Sequence, residues 1–204
     1  MRLIVDGLAL ERGGRPVLGG ISFAVAGGEA LVVTGPNGVG KTTLLRALAG
    51  LLAPALGRIA IEGGAPDLPR AEQVHLLGHR DGVKDALTAR ENLVAWRDLL
   101  AGDGPAPEAA LATVGLAHAA ELPAAALSAG QRRRLALARL LVAPRPIWLL
   151  DEPTSALDAA AQGWLAETVA THRAGGGLVV AATHAPLPWP GAHTLELVRR
   201  VAAA

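Results

Sequence analysis

The sequence predicts an α/β fold with a mostly parallel central sheet, an N-terminal antiparallel β-region and a helical subdomain. Three observations carry this reading. A glycine-rich segment, Gly35-Pro36-Asn37-Gly38-Val39-Gly40-Lys41-Thr42, stands between the apolar run 31–33 and an amphipathic stretch that begins at Thr42. A strand that passes through such a loop into a helix is the setting in which backbone amides gather round a phosphate, so the fold is expected to be of the P-loop NTPase kind. Residues 147–150 and 178–182 are uninterrupted apolar runs, as central strands covered on both faces are. Between these two β regions the pattern turns helical.

The elements follow in order. Residues 3–5, 21–25 and 31–33 are short apolar runs set off by Gly13-Gly14 and Gly27-Gly28, which predicts strands joined by tight turns. From Thr42, the residues Leu44, Leu45, Leu48 and Leu51 fall on one helical face until Pro54 and Gly57 stop the run. Thr88-Ala89-Arg90-Glu91 has capping-box spacing, which starts a helix over 89 to about 100. A loop over 102–107 leads into Ala-rich helical sequence and a helix over about 129–142, so residues from about 84 to 145 are read as the helical subdomain. A helix over 158–173 joins the two central strands. With no repeat at solenoid spacing, residues 1–204 are expected to form a single domain.

Composition narrows the function. The chain is 51% hydrophobic and 18% charged, which supplies a sizeable core. A formal net charge of +1 puts no strong field on the surface, so nucleic acid is not an expected partner. The absence of cysteine removes disulfides, thiolate metal sites and a cysteine nucleophile, and makes the cytosol the default compartment. Met1-Arg2-Leu3-Ile4-Val5-Asp6 meets charge before a secretory core could form, and no run of about eighteen uncharged apolar residues follows, so the chain is not expected to cross a membrane by itself.

The chemistry is concentrated in a few places. In the glycine-rich loop, successive amides and the partial positive charge of the helix N-terminus bind phosphate, Lys41 bridges the terminal phosphates, and Thr42, with Thr43 behind it, opens the helix. Thr42 is expected to offer its hydroxyl to Mg²⁺. Lys41 is one of two lysines in the chain. At the end of the apolar run 147–150 stand two adjacent acids, Asp151 and Glu152, at the edge of a parallel sheet where ligands bind. Consecutive strand residues point opposite ways, so Asp151 is assigned to the Mg²⁺ shell and Glu152 to polarising the attacking water. Without the phosphate loop the same pair would read as a solvated strand end. Leu127-Ser128-Ala129-Gly130-Gln131 precedes a helix and offers another anion site, made of small-residue amides and the Ser128 hydroxyl. The basic run Arg132-Arg133-Arg134 lies within that helix and is read as a solvated face, with at most one arginine sensing phosphate.

The phosphate loop, the Leu-Ser-x-Gly-Gln segment, the paired acids, Ser155-Ala156-Leu157-Asp158 and Thr183-His184 together resemble the nucleotide-binding domain of ABC proteins over nearly the whole chain. The resemblance implies two copies sandwiching two ATP molecules head to tail, with Ser128, Ala129, Gly130 and Gln131 of each engaging the other's nucleotide. It places Asp158 in the loop at the dimer interface and brings His184 to the γ-phosphate beside Glu152. It also sets Arg12 where the family commonly stacks adenine on an aromatic ring, and a guanidinium plane can stack on a base. His79 falls where the family offers a glutamine to Mg²⁺.

The stretch Leu77-Gly78-His79-Arg80-Asp81-Gly82-Val83-Lys84 with Leu87-Thr88-Ala89-Arg90-Glu91-Asn92-Leu93, and the early Glu11-Arg12-Gly13-Gly14-Arg15, resemble one branch: the ATP-binding subunits of the cytochrome c maturation, or haem export, system. That resemblance implies ATP and Mg²⁺ as cofactors, membrane subunits resembling CcmB and CcmC, and an indirect link to the haem chaperone CcmE. The expected place is the cytoplasmic face of the inner membrane, as a peripheral subunit. Two other ABC readings share the motifs: a transporter ATPase for another cargo, and a soluble ATPase that clamps DNA or ribosomes. The latter would carry long coiled-coil insertions or a second phosphate loop, which this chain lacks. A kinase or small GTPase would share the loop without needing the Ser128 segment or Thr183-His184.

Overall fold

A computed structural model describes residues 1–78 and 81–198. Along the chain the elements are β1 (Arg2–Arg12), β2 (Arg15–Ala26), β3 (Ala30–Thr34), α1 (Lys41–Leu48), β4 (Leu56–Glu62), β5 (Val74–Leu77), α2 (Ala89–Leu99), α3 (Pro107–Thr113), α4 (Ala129–Val142), β6 (Ile147–Asp151), α5 (Ala159–Ala174), β7 (Leu178–Ala182) and β8 (His193–Glu196). They group into two compact units. The first holds Met1–Leu76, Pro146–Pro153 and the chain from Thr168 onward; the second holds Leu77–Arg145 and Thr154–Glu167.

The first unit carries two sheets. In one, β1 lies between β2 and β4 and is antiparallel to both. Leu3, Val5, Leu8 and Leu10 of β1 are all buried. Strict alternation would turn Leu8 outward after Val5, and the register shift between these two residues returns it to the core. The other sheet has the order β5-β6-β7-β3-β8, with β6, β7, β3 and β8 parallel. Every residue of β6 and β7 is buried, so the uninterrupted apolar runs of the sequence are its inner strands. Leu44, Leu45 and Leu48 of α1 join Leu3, Leu10, Val33, Leu149 and Val180 in the core of this unit.

The α1 helix stops earlier than its leucine spacing predicts. Gly50 adopts φ 80, its amide bonds to the Ala47 carbonyl, and the Leu51 amide bonds to the Arg46 carbonyl. These two bonds form a Schellman end, which takes the chain out of helical phase. Leu51, expected on the buried face, is therefore 60% exposed.

The second unit is helical. Ala89, Leu93, Ala110, Leu111, Leu135, Ala138 and Val142 make its core; its alanines replace bulk with close approach between helices. The capping box at α2 is present: Glu91 N donates to Thr88 Oγ1 at 3.1 Å and Thr88 N donates to Glu91 Oε2 at 2.8 Å. Asn92 is 2% exposed and binds the loop that precedes its helix. It accepts from Lys84 N and donates to the carbonyls of Lys84, Leu87 and Thr88.

The basic run is not the solvated face that its charge suggested. Arg133 is 3% exposed and donates to the Gly78 carbonyl at 2.9 Å and to Asp81 Oδ1 at 2.8 Å. Arg132 pairs with Asp85 at 2.7 Å and also donates to the Ala124 carbonyl, while Arg134 donates to the Val114 carbonyl. The helix turns these guanidinium groups onto loop carbonyls, which is how a buried cation keeps its hydrogen bonds. Arg139 lies 5.1 Å from the centroid of the Trp96 ring, and burial, with the nearby Arg133 charge adding to it, pushes its pKa down to about 10.

Candidate functional site

The phosphate loop ends in an open helix start. Gly40, the N-cap of α1, has φ 117, a conformation that L side chains rarely adopt, and no side chain caps the helix. The first amides of a helix have no intrahelical partner, so at α1 they face whatever the loop encloses. Lys41 is 8% exposed and folds back over the loop, donating from Nζ to the Gly35 carbonyl at 2.7 Å and the Pro36 carbonyl at 3.2 Å. Gly35, Pro36, Asn37, Gly38 and Val39 thus form a turn whose own carbonyls hold the ammonium in place; the Val39 amide closes it onto Pro36.

Two acids meet this loop's unit from the end of β6. Asp151 is 3% exposed, and Thr42 Oγ1 donates to its Oδ2 at 2.7 Å. The first turn of α1 and the end of β6 therefore present a hydroxyl and a carboxylate side by side. Thr43 follows Thr42 in the same turn and is half-buried.

Glu152 lies one residue beyond β6. Its φ is 48, in the left-handed region that costs a non-glycine residue roughly 1 kcal/mol or more. Its amide donates to the Ala182 carbonyl at the end of β7, at 2.8 Å, which holds the turn. The two acids are separated by this backbone turn rather than by strand alternation, which corrects the physical reason given above for their different surroundings. The Glu152 carboxylate is gripped on both oxygens: Thr183 Oγ1 donates to Oε2 at 3.1 Å, and His184 Nδ1 lies 3.0 Å from Oε1. Thr183 is fully buried and its amide bonds to the Val33 carbonyl. Thr183 had no assigned role in the sequence reading; its place between a buried strand and His184 was the available signal.

In the second unit, Ser128 is the N-cap of α4. Gln131 N donates to Ser128 Oγ at 3.2 Å, and Ser128 N donates to Gln131 Oε1 at 2.8 Å. Gln131 is therefore engaged inside the capping box, and the Ser128 hydroxyl, which accepts there, keeps its proton to donate elsewhere. Ala129 and Gly130 provide the following amides. A Cβ on Gly130 would lie 3.0 Å from the Ala156 carbonyl oxygen, so the 155–156 segment packs directly on this helix start. Asp158 caps α5, its Oδ1 accepting from Ala161 N at 2.8 Å.

Arg12 is exposed at the end of the β1–β2 hairpin, opposite Arg15. His79, assigned above to the metal shell, lies outside the described residues.

A phosphate loop with a threonine bonded to a buried strand-end acid, and a second acid clasped by a Thr-His pair, is the arrangement of an ABC-type ATP-binding domain. Comparison with known proteins agrees and goes further. Residues 18–155 match the ABC transporter family. The chain is 61% identical to the cytochrome c biogenesis ATP-binding export protein CcmA of Rhodopseudomonas palustris strain BisB5, over 89% of this chain and 90% of that protein. It is 52% identical to CcmA of Chelativorans sp. strain BNC1, over 97% and 98%. A solved ATP-binding subunit of an ABC transporter superposes with a TM-score of 0.81 at 26% identity, over 90% of this chain and 80% of that one. The chain belongs to the ABC transporter family, in its CcmA branch of cytochrome c biogenesis ATP-binding export proteins. No helix among the described residues is long and apolar enough to cross a membrane.

Proposed function

We propose that this chain is the ATP-hydrolysing subunit of a haem-exporting ABC complex in cytochrome c biogenesis. It works as an ATP-sandwiching pair on membrane subunits resembling CcmB and CcmC, at the cytoplasmic face of the inner membrane. Its turnover drives release of the haem-loaded chaperone CcmE. The observation that supports ATP chemistry best is the joint placement of Thr42 against Asp151 and of Glu152 against Thr183 and His184.

In this reading the amides of Gly38 and Gly40 and the start of α1 bind the β- and γ-phosphates, and Lys41 brings its charge to the phosphate oxygens. Glu152 orients the attacking water, and Thr183 keeps its carboxylate aimed. His184, resting on the other carboxylate oxygen, faces the γ-phosphate. Ser128, with the amides of Ala129 and Gly130, donates to the γ-phosphate of the nucleotide held by the second copy. Asp158 shapes the loop at the seam of the pair by capping α5.

The oxygen donors Thr42 and Asp151 fit Mg²⁺, which takes hard oxygen ligands and is commonly held by one or two carboxylates together with substrate phosphates. Bound there, the ion would neutralise charge developing on the transferred phosphoryl group. Thr42 and Asp151, whose side chains meet in a 2.7 Å hydrogen bond, would hold it. The segment of His79 is assigned to the same shell and to communication with the membrane partner.

The test is to purify a tagged Glu152→Gln chain from membranes in ATP, identify what accompanies it and record the absorption spectrum of the complex. Subunits resembling CcmB and CcmC, with bound haem, are expected. A different permease and no haem band would overturn the cargo while leaving the ATPase reading in place.

A further inference from the structure

Thr183 stands between β7 and His184 and is fully buried. Its main chain is fixed, because the Thr183 amide donates to the Val33 carbonyl of β3 at 3.1 Å. Its side chain reaches two neighbours. The Ala185 amide donates to Thr183 Oγ1 at 3.0 Å, and the hydroxyl faces two acceptors, Glu152 Oε2 at 3.1 Å and the Ala185 carbonyl at 3.2 Å. A hydroxyl has a single proton to give. It holds Glu152 or the Ala185 carbonyl at any moment, while it goes on accepting from the Ala185 amide.

A threonine oxygen that accepts from the amide of the second residue onward closes an ST turn. The residue in the middle of this turn is His184, so the Thr183 hydroxyl sets the backbone that aims the imidazole. The same hydroxyl donates to one carboxylate oxygen of Glu152, whose other oxygen lies 3.0 Å from His184 Nδ1. Thr183, His184 and Glu152 thus close a ring, and β-branching at Thr183 restricts the direction its hydroxyl takes. Glu152 needs such a hold, because its φ of 48 is a conformation that surrounding bonds must maintain.

We propose that Thr183 is a positioning residue that sets Glu152 and His184 as one unit, heading the turn that aims the histidine while its hydroxyl proton holds the carboxylate. This deepens the reading of Glu152 as the group that orients the water, and rests on it. Removing the hydroxyl takes a donor from Glu152 and the turn-closing acceptor from the Ala185 amide at once. The contact between His184 and Glu152 is then loosened at both of its ends. The losses caused at Thr183 and at His184 therefore overlap instead of adding.

The experiment measures single-turnover ATP hydrolysis, which reads very slow rates, and equilibrium ATP binding of the full chain. The variants are Thr183→Val, Thr183→Ser, His184→Ala and the double variant Thr183→Val with His184→Ala, each melted thermally to check its fold. Thr183→Val should hydrolyse about ten- to a hundredfold more slowly than the wild type, since a hydrogen bond to a charged group is gone. Its ATP affinity should stay within about twofold, because the hydroxyl acts on the chemical step and not on binding. Thr183→Ser, which keeps the hydroxyl, should hydrolyse within about threefold of the wild type. The double variant should fall within about threefold of the slower single variant. A double variant slowed by the product of the two single losses would overturn the shared unit. Wild-type hydrolysis by Thr183→Val, or Thr183→Ser as slow as Thr183→Val, would overturn the role of the hydroxyl. Should Thr183→Val not fold, Thr183→Ala, smaller and equally without a hydroxyl, takes its place with the same expectations. Wild-type turnover by Glu152→Gln would instead remove the water-positioning reading and leave Thr183 with no catalytic group to position.

Discussion

Two helix starts in this chain are assigned to phosphate, and they are finished in opposite ways. At α1 the N-cap is Gly40, with φ 117 and no capping side chain. At α4 the N-cap is Ser128, closed by a reciprocal box with Gln131. The first start leaves its orphan amides for a ligand and relies on Lys41, tethered to its own loop, to supply charge. The second satisfies two donors internally and retains a hydroxyl proton and a few amides. An open start binds strongly within one chain. A capped start is stable without ligand and adds a weaker contact, which suits a surface that meets the nucleotide of another copy and then lets it go.

The largest effect should come from the open start. Lys41→Ala removes a charge-assisted phosphate contact worth about 1.5–3 kcal/mol, so ATP affinity should fall by about ten- to a hundredfold in calorimetric titration. The melting temperature should hardly move, because the bonds of Lys41 among the described residues go to the loop carbonyls of Gly35 and Pro36. Next comes the capped start. Ser128→Ala should lose about 1 kcal/mol of stability with the cap, leave ATP affinity of the isolated chain near wild type, and sharply lower turnover at concentrations where copies pair. If ATP affinity of the isolated chain collapsed instead, the two starts would serve one nucleotide and the contrast would fail.

The smallest effect sharpens the same contrast. Thr88 heads α2 with the same kind of box as Ser128, but it is assigned no ligand. Thr88→Ala should lose a similar amount of stability, about 1 kcal/mol in denaturant unfolding, and leave turnover per folded chain unchanged. A loss of turnover matching that of Ser128→Ala would show that capping alone explains both.

What could be read from the sequence depended on where each strand lies in its sheet. The inner strands β6 and β7 are buried along their whole length and appear in the sequence as unbroken apolar runs. The strands that pattern did not reveal, β4, β5 and β8, are sheet edges, although the edge strand β2 was read in part from its apolar run 21–25, and β5 is mostly buried and was missed because it is short. β4 opens with Leu56-Gly57, where Gly57 reads as a helix stop, and its first residues are exposed. β8 is His-Thr-Leu-Glu, mostly exposed, and β5 has only four residues. An edge strand covered on few sides need not be apolar, so periodicity does not reveal it. The Thr88 capping box was legible because its spacing is local, whereas the Ser128–Gln131 box, of the same spacing, was read only as an anion site. Local spacing could not show that Arg133 turns inward to Asp81, since that depends on a partner 52 residues away. The Thr42–Asp151 bond spans 109 residues, yet the two motifs that meet in it could be assigned separately. The left-handed turn at Glu152 left no trace in residue type, because a glutamate there is held by its neighbours' bonds rather than by its own preference.

The most direct test of the central claim, that this chain hydrolyses ATP as a pair with Glu152 positioning the water, is to compare steady-state hydrolysis and ATP-dependent self-association of the wild type and Glu152→Gln. The variant should bind ATP as the wild type does, turn over at a few per cent of its rate or less, and remain paired in Mg²⁺-ATP in sedimentation velocity. Wild-type turnover by Glu152→Gln, or a variant that stays monomeric with ATP bound, would contradict it.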